Sequence, residues 1–239
     1  MKIISAKSKG VKQTYSLAME ADQHNYILEN GIVSKNSHSI SYAFITYWTA
    51  YLKTHYPREY MASLCTHMSD LDETAKYLQE VRRMGLKVYT PDINKSHMGY
   101  TLEDDGIRIG FGTLRNVGEG PAKTLMDLRS QKKFDSLYDI AFRANPRSPV
   151  FKSLAFCGAL DQWGTRLGIS ATVEEILKKA RKNAKQKDQI SLFADEEIIS
   201  FDIPDQEFSF RELLKKEKEV MGIYVSGHPL DDYADLMTG

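Results

Sequence analysis

The strongest constraint on how this chain folds is an abrupt change of texture near residue 37. Residues 1–34 read as short β segments, with 14–19 and 26–28 strand-like and Glu29-Asn30-Gly31 a hairpin turn between apolar stretches. From Ser39 to about Met68, apolar residues instead recur at helical spacing: Tyr42, Phe44, Ile45, Trp48, Tyr51 and Leu52. Pro57 breaks this run and suits the first turn of the next helix, where a missing N–H is harmless. The fold must therefore join a small β arm to a mainly helical body, an α+β class.

Beyond that break, a helix is predicted over residues 72–84, with Gly85 as its C′ residue. Residues 86–89 and 106–112 read as strands flanking a loop with Pro91 and Asn94. Short helices joined by tight glycine turns are expected over 113–163, then a basic helix over 171–187. A polar, acidic linker follows, and a last helix runs from Phe210 to about Met221. The 239 residues carry zero net charge, so no global electrostatic footprint points to nucleic acid; any such signal is local. Two cysteines, no secretory pattern and no apolar run of membrane-spanning length predict a reducing, cytoplasmic setting without a membrane partner.

The bond between Asn36 and Ser37 has specific chemistry available. An asparagine side-chain amide can attack its own carbonyl, forming a succinimide and releasing the downstream amine. Ser37 can accept an acyl group through its hydroxyl, and His24 is a reasonable proton donor or acceptor for either step. Together with Tyr15, Asn25, Tyr26, Asn30, Gly31 and Val33, these residues resemble the C-terminal half of an intein. The resemblance covers residues 1–37 and begins at Met1, as in inteins that splice in trans. It implies that Asn36, Ser37, His24 and Lys35 form the splicing site, and that the partner is an N-terminal polymerase–intein fragment. Lys35 departs from the histidine usual before the terminal asparagine, and a lysine is a poor acid at neutral pH unless buried. The plain alternative is an inert β-hairpin arm.

After Ser37 the chain reads Ser37-His38-Ser39-Ile40-Ser41-Tyr42-Ala43-Phe44, then Tyr47-Trp48-Thr49-Ala50-Tyr51-Leu52-Lys53. An amphipathic helix with a core of aromatics explains the apolar residues. The hydroxyls and histidine at its start also make a ready phosphate site. This stretch resembles the alpha subunit of bacterial DNA polymerase III, a C-family replicative polymerase. In that family Phe-Asn-Lys precedes the helix; here Ser34-Lys35-Asn36 stands there, and splicing would restore the motif. The resemblance implies that Ser37, His38 and Ser39 lie near incoming nucleotide and DNA. It continues through Arg82-Arg83-Met84-Gly85 and Pro91-Asp92-Ile93-Asn94, and into a helix-hairpin-helix region around Ile109 to Gly120. There, Val117-Gly118-Glu119-Gly120 before a helix allows a tight turn whose amides meet a phosphate, with Arg115, Asn116 and Lys123 alongside. Residues 154–164 look like a weaker second hairpin of structural role.

Gln189-Ile190-Ser191-Leu192-Phe193 places an apolar pair in a polar stretch. It resembles the sliding-clamp-binding peptide of the same polymerases, with Gln189 fixing register and Leu192 and Phe193 filling a pocket. Residues 217–231 match the family just ahead of its OB-fold. The organisation expected is an intein segment (1–36), fingers (37–105), a tandem helix-hairpin-helix region (106–168), and a C-terminal stretch with the clamp peptide (169–239). The function implied is the C-terminal part of a replicative DNA-directed DNA polymerase, with primer-template, deoxynucleoside triphosphates and sliding clamp as partners. No metal site or cofactor is expected in this chain; the resemblance places the Mg2+-holding palm carboxylates upstream of Ser37. The competing reading is a stand-alone DNA- and clamp-binding module with an inactive intein remnant.

Overall fold

The computed structural model describes residues 3–8, 15–19, 25–27, 33–68, 70–187, 201–227 and 229. The predicted turn at 29–31 and the linker up to residue 200 lie outside them. The chain forms two compact units, Met1–Tyr60 and Met61–Gly239.

In the first unit, β1 (Ile3–Ser8) pairs antiparallel with β2 (Tyr15–Met19), and β3 (Asn25–Ile27) with β4 (Val33–Lys35). Helix α1 (Asn36–His55) follows β4 directly, starting three residues before the predicted Ser39. Its aromatics do not form the core that the spacing suggested. Tyr42 is 65% exposed and Trp48 59%, and Phe44, Ile45, Tyr51 and Leu52 are exposed too. The apolar residues of α1 are spread around the helix rather than gathered on one stripe, so a single packing face cannot cover them. Pro57 opens α2 (Pro57–His67), as its fixed φ favours.

In the second unit, Met61, Ala62 and Cys65 of α2 are buried. Helix α3 (Leu71–Arg83) is capped by Asp70, whose carboxylate accepts from the amides of Asp72 at 2.7 Å and Glu73 at 3.0 Å. Gly85, at φ +79°, ends it in the left-handed conformation predicted for that position. Three short strands follow: β5 (Lys87–Tyr89), β6 (Thr101–Glu103) and β7 (Gly106–Arg108). The wholly buried β7 lies between the other two, parallel to β5 and antiparallel to β6. The strand expected over 106–112 stops at Arg108. The amides of Phe111 and Gly112 instead bond to the carbonyls of His97 and Met98, turning the chain into a 3-10 turn at Phe111–Thr113.

The remaining body is helical: α4 (Glu119–Gln131), α5 (Leu137–Ala144), α6 (Ser148–Phe156), α7 (Arg166–Lys187) and α8 (Phe210–Met221). Helix α7 begins five residues before the predicted residue 171. Gly168, which reads as a helix breaker, is there because a Cβ would lie 2.1 Å from the carbonyl oxygen of Pro204. Glu207 supplies the missing N-terminal cap, accepting from the amides of Arg166 and Leu167. Side chains such as Ile107, Phe111, Leu125, Ile140, Phe151, Leu160 and Ile176 are fully buried. Cys65 and Cys157 are buried free thiols; burial pushes them up to about 11 and about 12, so neither is a nucleophilic thiolate near neutrality.

A buried ion group ties the C-terminal elements together. Arg166 donates to Glu217 at 2.9 Å and through two nitrogens to Asp161 at 3.0 Å. The second oxygen of Glu217 accepts from the amides of Val225 and Ser226, and the Ser226 hydroxyl donates to its first. Glu217 is fully buried, and Arg166 is 6% exposed. Removing one partner of a buried pair leaves the other charge uncompensated. Glu217→Ala should therefore cost about 3–5 kcal/mol in urea unfolding, while Glu219→Ala, at an exposed position, should change stability little. Equal losses for the two variants would contradict this role.

Candidate nucleic-acid interface

The segment from Leu114 to Gly120 connects the 3-10 turn to α4. Leu114 and Val117 are buried and anchor it, and the Val117 amide donates to the Leu114 carbonyl at 3.2 Å. Two further bonds hold it from outside. The Arg115 amide donates to the carbonyl of Val220 at the end of α8, at 2.8 Å. The Asn116 side-chain amide donates to the hydroxyl of Ser153 on α6, at 3.1 Å. The turn is thus pinned between α6 and α8 while its outer residues, Arg115, Asn116, Gly118, Glu119 and Gly120, are exposed.

The glycines do not play the role the sequence suggested. Asn116, at φ +66°, takes the left-handed conformation, which asparagine tolerates better than most residues. Gly118 sits at φ −67° and ψ 175° as the N-cap of α4, and Gly120 lies in the first helical turn. A Cβ added at either would meet nothing within 4 Å. Their effect is to leave the helix start bare. No side chain caps it, so the amides at 118–120 are available to an outside acceptor. Lys123, exposed one turn along, adds positive charge.

Beside this helix start lies a recess of about 510 Å³. Asn116, Pro121 and Thr124 line one side, and Asn145, Pro146 and Arg147, leading into α6, line the other. Asn145 is also left-handed, at φ +40°, and accepts from Arg181 at 3.1 Å. Sequence reasoning missed this second wall. Its signal was present in Asn145-Pro146-Arg147-Ser148-Pro149, two prolines punctuating a basic residue before a helix.

The segment expected to form a weaker second hairpin, residues 154–164, is built inward. A Cβ on Gly158, at φ +86°, would lie 2.5 Å from the Arg166 guanidinium, so the turn is closed by the buried ion group. In the other compact unit, Lys35 ends β4, and Asn36, Ser37, His38 and Ser39 begin α1. His24, and Gln189, Ile190, Ser191, Leu192 and Phe193, lie outside the described residues. Among the described residues, no group of three His, Cys, Asp or Glu could hold a metal ion.

This division of labour in the turn is testable by thermal denaturation. Asn116→Val should destabilise by about 1–3 kcal/mol, because a β-branched residue is strained at positive φ. Gly120→Ala should not lower stability, since alanine is the better helix former and has room. The reverse order would restore the glycines as the turn's conformational requirement.

Residues 85–167, which contain this turn, match the helix-hairpin-helix motif family. Three curated relatives carry the name DNA polymerase III subunit alpha. The chain is 36% identical to the protein of Campylobacter jejuni over 239 residues, covering 93% of this chain and 20% of that one. It is 32% identical to the Bacillus subtilis protein, covering 95% and 21%, and 35% identical to one from Mycobacterium tuberculosis, covering 84% and 18%. The chain spans about a fifth of the length of these relatives. Among the described residues, no helix is long and apolar enough to cross a membrane. The chain is thus homologous to a segment of proteins named DNA polymerase III subunit alpha, and its own residues 85–167 match a helix-hairpin-helix motif.

Proposed function

We propose that this chain supplies the C-terminal part of a replicative DNA-directed DNA polymerase, and that it is made as a trans-splicing precursor. The observation that carries the polymerase role is the bare start of α4, pinned between α6 and α8 inside the helix-hairpin-helix segment. The amides at 118–120 donate to a phosphate of the duplex backbone, and Arg115 and Lys123 add charge without reading bases. The turn is already held in place, so binding costs little ordering.

Helix α1 supports placement within a larger enzyme, because aromatics exposed around a helix call for burial against further protein. On this reading α1 belongs to the fingers, with Ser37, His38 and Ser39 at its start for nucleotide phosphate. The Mg2+ for nucleotidyl transfer belongs to palm carboxylates outside this chain; the described residues offer no group that fits it. Gln189, Ile190, Ser191, Leu192 and Phe193 tether the enzyme to its sliding clamp. The setting is cytoplasmic.

The splicing step is cyclisation of Asn36. The Ser37 hydroxyl first takes the partner fragment's acyl group as an ester, displacing the N-terminal half-intein. The Asn36 side-chain nitrogen then attacks its own carbonyl carbon and breaks the bond to Ser37. The freed α-amine of Ser37 takes the acyl group from its own hydroxyl oxygen to form the joining amide. His24 moves the proton, with Lys35 adjacent. A second reading, a stand-alone DNA- and clamp-binding module, draws on the compactness of Met61–Gly239, which holds the whole turn.

Intact-mass analysis tests the splicing claim. Mixed with a fragment ending in Phe-Asn-Lys and the N-terminal half-intein, the chain should give a ligated product resuming at Ser37, with residues 1–36 released. Asn36→Ala should block that release, and release at the unaltered rate would remove asparagine from the chemistry. Clamp pull-down tests the tether: alanine at both Leu192 and Phe193 should abolish retention, and full retention would refute the peptide's role.

A further inference from the structure

A second cleft, of about 660 Å³, lies on the other side of the turn, where Arg115 meets α8. Its charged lining is Arg115, Arg211, Lys215 and Lys218, against the acids Asp72 and Glu219. Arg211, Lys215 and Lys218 fall at helical spacing on one face of α8, and all three are exposed. Lys218, in the last turn, complements the helix dipole, but Arg211 is in the first turn, where the dipole disfavours a cation. Like charges four residues apart also repel. Of the two acids, Glu219 is engaged by Lys216 at 3.0 Å.

The cleft is also built rather than incidental. The bond from the Arg115 amide to Val220 fixes the basic turn residue against α8. The Tyr224 ring lies 5.1 Å from the Lys218 ammonium, and Arg82 donates to the carbonyls of Tyr224 and Val225. Glu217 holds the next amides from within. Among the described residues four cations and two acids line this fixed concavity, a balance that suits a chain of phosphates, in which several cations are neutralised at once.

We propose that the basic face of α8, together with Arg115, is a second contact for the sugar-phosphate backbone of duplex DNA, continuing the track that begins at the start of α4. This rests on the duplex-binding role of the turn and extends it to a helix that lies outside the matched motif at 85–167. The two contacts share residues 115–116: Arg115 lines the cleft at α8, and Asn116 lines the recess at α4.

Fluorescence anisotropy with the full chain and a duplex of about 20 base pairs, at salt from about 50 to 200 mM, tests it. The triple variant Arg211→Gln, Lys215→Gln, Lys218→Gln, with helix content verified by circular dichroism, should bind at least about tenfold more weakly. Its slope of log affinity against log salt should shrink by about 2 to 3. Asp72→Asn, which removes an acid from the cleft, should bind the duplex more tightly. Lys123→Gln reports separately on the turn. If Lys123→Gln weakens binding while the triple variant keeps both affinity and slope, the α8 contact is overturned and the turn's role stands. If the unaltered chain binds no duplex, both fall. Displacement of the duplex by inorganic tripolyphosphate at equal phosphate concentration would assign the cleft to a free polyphosphate and overturn the backbone contact.

Discussion

The arrangement of the second compact unit depends on the buried pairing of Arg166 with Glu217, which the exposed Asp161 completes from the surface. A guanidinium at 6% exposure is stable only with its charge matched and its donors satisfied, and here two carboxylates and the Phe156 carbonyl do that. Glu217 uses its remaining capacity on the amides of Val225 and Ser226. One ion group therefore fixes the start of α7, the middle of α8 and the chain beyond α8. Because Arg115 is bonded to Val220, the surface turn inherits its position from this interior contact.

A chain of zero net charge can still present the proposed nucleic-acid surface if the contact is local. Two exposed cations, Arg115 and Lys123, stand with Glu119 beside a helix start whose amides lie open. Asn116 makes the turn, and the glycines on either side of Glu119 keep it uncovered. Contacts of this kind follow the backbone and are indifferent to sequence, which is what the proposed role in a template-copying polymerase requires.

Much of this was legible in the residues. Asp70 and Gly85 mark both ends of α3, and Ser209 with Glu212 forms a capping box at the start of α8, where the last helix was expected. What was not legible depended on contacts distant in sequence. Gly168 hides a helix start because its reason, the Pro204 carbonyl, lies 36 residues away. The chain after β7 leaves the sheet because His97 and Met98 take the amides of Phe111 and Gly112. The left-handed role of Asn116 was masked by two glycines that invite the same reading. Spacing predicted that the aromatics of α1 would be helical, but not that they would be exposed, since period says nothing of which partner covers a face.

The most direct measurement is amide NMR of the chain as a short duplex is added. Phosphate contact at the start of α4 predicts that the amide signals of Gly118, Glu119 and Gly120 shift first and gain protection from hydrogen exchange. Shifts confined to other surfaces, with these three amides unmoved at saturation, would contradict the assignment of this turn as the site that holds DNA.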